Sequence, residues 1–251
     1  MINFGTGTLI CVPTTDALGV AIANPTPVRL GTLQEASVDL GVDIKSLYGS
    51  GRFPVAVGAG KAKTDIKAKY ADINASVLGS LFYGKTASAA IKAADLDVAA
   101  TIPTTPFQVT ADPPGTGTFV ADLGVFNVTN GAWMTRVASG PTTGQYSVNT
   151  GTGVYTFASA DAGDSVTYSY EYTAASGGST FDLTNDLMGY TPSFSLILQQ
   201  AFDGKTLVLK FNRCTSGKLA LPFKNEDFTL YDFEAMGYCD ASGNLGYISL
   251  F

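Results

Sequence analysis

Residues 32–45, TLQEASVDLGVDIK, alternate with a period of two. Gln34, Ala36, Val38, Leu40, Val42 and Ile44 occupy one side, mostly apolar. Glu35, Ser37, Asp39, Gly41 and Asp43 occupy the other, polar and acidic. That period predicts a long strand with one buried face. Residues 61–73 repeat the pattern with the opposite charge: Lys61, Lys63, Lys67 and Lys69 fall on odd positions, and small or apolar residues fall on even ones. Two such strands predict an antiparallel pair in which Glu35, Asp39 and Asp43 face the lysines. Opposed charges of this kind contribute about 0.2–1 kcal/mol each and help to fix register. The alternative is a solvated face with no pairing.

Between the two strands lies SLYGSGRFPVAVGAG, residues 46–60. Most hairpin loops have about 2–5 residues, and longer ones are functional or disordered. Leu47, Tyr48, Phe53, Pro54, Val55 and Val57 make this segment too apolar for disorder. With Arg52 among them, the residues have the composition of a contact element. The arm either packs on another subunit or folds back on its own domain.

Along the rest of the chain, short apolar runs with Pro and Gly mark an N-terminal arm with one or two strands. Asn74 is placed to cap a short helix over 75–83, with Val77, Leu78, Leu81 and Phe82 on one face and Gly84 as its stop. From 105 to 180 the composition changes. Thr, Gly, Ser and Tyr dominate, and Arg136 stands as the single base against Asp112, Asp122, Asp161, Asp164 and Glu171. The strands GTFVADLGV, QYSVN, GVYTFA and SVTYSYEYT, flanked by TADPPGTG and TAASGGST, predict a small Ig-like β module over 105–178. It is inserted into a larger domain formed by 1–104 and 179–251. Asp203-Gly204 signals a hairpin turn, and two further strands are expected over 228–236 and 245–251. The fold class is therefore mainly β: an antiparallel sandwich or barrel with one short flanking helix and an inserted β module.

Composition narrows the chemistry. Charged residues make up only 14% of the 251, the net charge is −6, and there is no histidine. A surface poor in charge is often hidden in an assembly. A net acidic chain is not expected to bind duplex DNA in bulk. Lack of histidine removes the commonest general base and metal ligand, and no cofactor or metal is expected. Paired carboxylates at Glu226–Asp227 and Asp232–Glu234 are read as a charged turn and a solvated edge, and the reading is non-enzymatic. DASGN lacks the carboxylates of a calcium loop. Cys11, Cys214 and Cys239 are an odd set without CxxC spacing, which fits folding in a reducing compartment. The opening residues are not expected to form a signal peptide, and no run of ~18 apolar residues predicts a membrane helix.

The run LGTLQEASVDLGVDIKSLYGSGRFPVAVGAGKAKTDIKAKYADIN resembles the major tail tube proteins of tailed bacteriophages. So does MGYTPSFSLILQQAFDGKTLVLKFNRCTSGKLALPFKNEDFTLYDFEAMGYCDASGNLGYIS. Together the two blocks span a little over half the chain. The segments TFVADLGVFN and GQYSVNTGTGVYTFASADAGDSVTYSY look like the β module found inside some of these proteins. The resemblance implies a virion protein, assembled in the host cytoplasm, whose copies form stacked hexameric rings around a channel for genome delivery. Long strands of the copies close a continuous barrel, and the hairpin arm bridges rings. Carried over, Leu47, Tyr48, Arg52, Phe53, Pro54 and Val55 are the inter-ring contacts, and 32–45 with 61–73 line the channel. The implied partners are further copies of itself and the tape measure, terminator and baseplate or tip proteins; DNA passes without specific binding. A different class of function, a carbohydrate- or surface-binding module, rests on Trp133 and the Tyr168, Tyr170 and Tyr172 stripe.

Overall fold

The structure, a computed structural model, describes residues 5–72, 77–186, 188–223 and 225–251. The chain divides into two compact units, Met1–Ala87 with Phe181–Phe251, and Ser88–Thr180. It is mainly β, as the alternation predicts.

The first unit contains β1 (Thr8–Thr15), β2 (Val28–Tyr48) and β3 (Pro54–Asp72). The second contains β4 (Ile91–Thr101), β5 (Gln108–Thr110), β6 (Thr118–Asn127), β7 (Ala132–Trp133), β8 (Thr135–Arg136), β9 (Gln145–Asn149), β10 (Val154–Phe157) and β11 (Ser165–Ala174). The first unit resumes with β12 (Ser193–Phe202), β13 (Lys205–Ala220), β14 (Tyr231–Tyr238) and β15 (Gly246–Leu250).

In the first unit the strands run β12-β1-β2-β3-β14-β13-β15, all antiparallel, and β13 also pairs with β12. Six strands therefore close on themselves, with β15 appended to β13. Closure is possible because β13 is long. Its first half pairs with β12 on one side and β15 on the other, and its second half pairs with β14. The hairpin between β12 and β13 turns at Asp203-Gly204, whose φ angles of 51° and 70° are those of the turn that matches strand twist. Inside lie Leu9, Cys11, Leu30, Ile66, Tyr70, Phe194, Leu196 and Phe233. On β3 the alternation is realised directly: Thr64, Ile66, Ala68 and Tyr70 are buried, and Lys67 and Lys69 are exposed.

The expected helix over 75–83 is a single wide π-type turn, Val77–Phe82, that puts Val77 and Leu81 into this core. Its proposed cap, Asn74, lies outside the described residues. Gly84, at φ 61°, ends the turn. A Cβ there would meet the Ala17 nitrogen at 2.4 Å, so the site requires glycine. Among the described residues, no helix is long and apolar enough to cross a membrane.

The second unit is a sandwich of two four-stranded sheets, β5-β10-β9-β8 and β4-β11-β6-β7. It begins at Ser88, not at 105, because β4 pairs along the length of β11. The alanine-rich IKAADLDVAAT carries too weak an alternation to reveal that partnership. Both ends of the unit meet at Ser88 and Thr180, which exchange two backbone hydrogen bonds of 2.8 and 3.0 Å. The core is aromatic, with Phe119, Tyr146, Tyr155, Phe157, Tyr168 and Tyr170 among its members. Asp122 on β6 ties one sheet to the other. Its side chain is 3% exposed and lies 3.5 Å from Arg136. It accepts hydrogen bonds from the hydroxyls of Tyr146 (2.8 Å) and Tyr155 (3.1 Å) and from the Gly124 N–H (3.1 Å).

Burial pushes the phenols of Tyr146, Tyr155, Tyr168 and Tyr170 above their usual 10, and neighbouring carboxylates add to the shift. These groups stay neutral in the fold at a pH where the unfolded chain ionises. Their contribution is complete below pH 10 and is lost as pH rises through the folded values. We expect the second unit to unfold in alkali, with tyrosinate absorbance and loss of β signal rising together. Gradual tyrosine ionisation without unfolding would contradict this.

Candidate functional site

The feature that no internal packing explains is the far half of the β2–β3 hairpin. β1 pairs with β2 only at Val28, Arg29 and Leu30, and β14 pairs with β3 only from Asp65 to Tyr70. Beyond those limits the two strands pair only with each other, as a ribbon. The 46–60 segment is not the loop that the sequence suggests. β2 runs on through Tyr48, β3 starts at Pro54, and the turn is residues 49–53. Leu47, Tyr48, Pro54 and Val55 thus stand on the ribbon strands, and Arg52 and Phe53 on its tip. Phe53 is 82% exposed.

The reason the sequence hides this is a change of phase. Lysines occupy odd positions from 61 to 69, yet Val55 and Val57 are also odd. The structure reconciles the two through a bulge. Val42 pairs with Ala62, but Ile44 pairs with Ala59, so Gly60 and Lys61 together oppose Asp43. Gly60 is suited to this place, since a Cβ on it would lie 2.9 Å from the Asp43 carbonyl oxygen. Residues paired across an antiparallel ladder share a face. One face of the ribbon therefore carries Leu40, Val42, Ile44, Ala62, Ala59 and Val57 in continuation of the core-facing side. There Leu40, Val42, Ile44 and Val57 are more than half exposed.

The other face carries the charges, and their pairing differs from expectation. Only Glu35 meets a lysine across the β2–β3 ladder, at 2.9 Å from Lys69. Asp39 stands opposite Asp65, not a lysine. Lys63 instead binds Asp65 on its own strand at 2.7 Å, and Asp43 binds Lys45 on its own strand at 2.6 Å. Lys67 stands between Ser37 and Glu234, and Glu234 binds Lys218 at 3.1 Å. Lys61, beside the bulge, has no ion pair among the described residues. The carboxylate partners hold the Lys63 and Lys69 ammonium groups above their ordinary range. Taken with its neighbours on β13 and β14, the face holds six cations (Lys45, Lys61, Lys63, Lys67, Lys69, Lys218) and six anions (Glu35, Asp39, Asp43, Asp65, Asp232, Glu234). Arg213, opposite Tyr238 on the same side of β14, adds a seventh cation, so the face is close to neutral. The missed neighbours Asp232, Glu234 and Lys218 come from register, which one strand's sequence does not disclose, and Asp65 lies two residues along β3 from Lys63.

The remaining candidates separate. Tyr168, Tyr170 and Tyr172 are buried, so they offer no stripe to a ligand, whereas Trp133 is 69% exposed and lies against Gly124 and the Phe126 ring. Asp232 and Glu234 belong to the charged ribbon face, and Glu226 and Asp227 lie in the loop before β14. In DASGN, Asp240 accepts N–H bonds from Ser242 and Asn244 (both 2.9 Å) and from the Asn212 amide (2.8 Å). These bonds, the Asn244 one first, hold its carboxyl below the usual range and stabilise a tight turn. The described residues contain no group of three or more metal-ligating side chains.

The two units differ in charge. Residues 88–180 hold Asp95, Asp97, Asp112, Asp122, Asp161, Asp164 and Glu171 against Lys92 and Arg136, a net −5 of the chain's −6. Compared with known protein families and with curated proteins, the chain matches none.

Proposed function

We propose that this protein is a self-assembling structural subunit of the tail-tube type, whose copies build stacked rings around a channel that conducts DNA. The observation that supports it is the ribbon, which has two long unpaired edges and an apolar face without a partner among the described residues. Unpaired edges of this length are templates for another chain. Setting the β3 edge of one copy beside the β2 edge of the next continues the antiparallel alternation. That contact is heterologous and head-to-tail, so it generates a ring when the rotation closes. The tip residues Tyr48, Arg52 and Phe53 then reach the next ring.

The charged face suits the inner wall. A duplex carries one negative charge per ~1.7 Å, and an uncompensated lysine row would hold it through counterion release. A face on which the two signs nearly balance offers little such hold. The experiment is electron microscopy of the purified protein at high concentration, where sixfold rings or tubes are expected. A protein that stays monomeric under all conditions rules the proposal out. A second reading, a surface-binding module, rests on exposed Trp133 in the second unit, and glycan-array binding abolished by Trp133→Ala would favour it.

A further inference from the structure

We propose that the unit of residues 88–180 is an electrostatic spacer that keeps finished assemblies from adhering to one another. The inference rests on the self-assembly reading, and two separate observations carry it.

The first is the partition of charge. Unit 88–180 bears −5 of the chain's −6, which leaves the barrel and its ribbon within one charge of neutral. A nearly neutral body with exposed apolar side chains associates readily, and a body with high net charge of one sign repels its copies. The second is the treatment of edges. The ribbon leaves its edges long, and its bulge at Gly60 lets the ladder run on beyond it. In the second unit the edge strands β5, β7 and β8 have only two or three residues. The one long edge, β4, is broken in its middle: Asp97 takes a φ of 54° and donates its N–H to Ser169 Oγ at 3.0 Å. Lys92, Asp95 and Asp97 place charges along it. Short, bent and charged edges block strand addition. One unit is built to join copies and the other to refuse them. The partner that the spacer acts on is the same unit on a neighbouring assembly, over the ~8–10 Å reach of charge at physiological salt.

The test neutralises three exposed acids outside the Asp122 network, in the triple variant Asp97→Asn, Asp112→Asn, Glu171→Gln. Asparagine tolerates the left-handed backbone at position 97. The unit's charge product between copies falls about sixfold, in proportion to the repulsion. Light scattering gives the sign of the interaction between particles, and electron microscopy gives their form. At low ionic strength the unaltered protein is expected to be repulsive and dispersed, and to lose that repulsion as salt is added. The variant is expected to be attractive and bundled side by side already at low salt. A variant as dispersed as the parent at every ionic strength overturns the spacer. If neither protein forms rings or tubes, the assembly reading falls, but the interaction measured between single chains still decides the spacer. Unchanged Trp133 fluorescence verifies that the second unit has kept its fold.

Discussion

Gly60→Ser is expected to abolish self-assembly while the chain remains folded, and deletion of Gly60 is expected to spare it. The added side chain would press on the Asp43 carbonyl oxygen and expel the bulge. Without the bulge, every residue of β3 before position 60 slips by one and changes face. Val57 would then move to the charged face, opposite Leu47, and the apolar face would lose it. A buried valine contributes about 1.5–3 kcal/mol at a contact, so the critical concentration should rise about ten- to a hundredfold. Deletion also removes the bulge, but Lys61 then opposes Asp43 singly and Ala59 still opposes Ile44. The phase survives. Because the bulge lies beyond the buried part of β3, the melting of the barrel should change little in either variant. Sedimentation and circular dichroism check both points. Equal assembly by both variants would sink the role given to the apolar face.

Asp122→Ala should destabilise the second unit by about 3–5 kcal/mol, because two buried hydroxyls lose their acceptor and Arg136 loses its partner. Asp122→Asn keeps an acceptor oxygen and should cost less. The effect is confined to one unit, which has its own core. Trp133 is the only tryptophan of the chain and sits in that unit, so its fluorescence reports this transition apart from the barrel's. An Ala variant that unfolds within about 1 kcal/mol of the parent, a typical surface effect, would falsify the cross-sheet role of Asp122.

The strands that the sequence announced are those with one dry face. Residues 33–38 and 64–70 alternate because one side of each is packed on a core, and 145–149, 154–157 and 165–174 alternate for the same reason, whereas the alternation of 40–44 runs on into the ribbon with its apolar side exposed. What escaped notice depends on pairing. The Gly60 bulge looks like the end of a strand when Val55 and Val57 break the odd–even rule, and only the register with Ile44 turns that break into continuity. β4 escaped because alanines alternate with too little contrast. The charge partners of Lys63 and Lys67 escaped because Asp65 lies two residues along the same strand and Glu234 lies on a strand more than 160 residues away. Asp122 reads as one acid among several until Tyr146 and Tyr155 are seen to converge on it.

The paired ends at Ser88 and Thr180 bear on how the barrel forms. β3 precedes the second unit and β12 follows it, so barrel closure must span that whole segment. An unfolded stretch of that length would carry a large closure entropy. Once the unit has folded, its two ends are held by a pair of backbone hydrogen bonds, and the detour counts as a short loop. By the logarithmic dependence of closure on loop length, that shortcut is worth roughly 1 kcal/mol. A unit that forms first would therefore act as a modest folding clamp, drawing β3 and β12 nearer to each other.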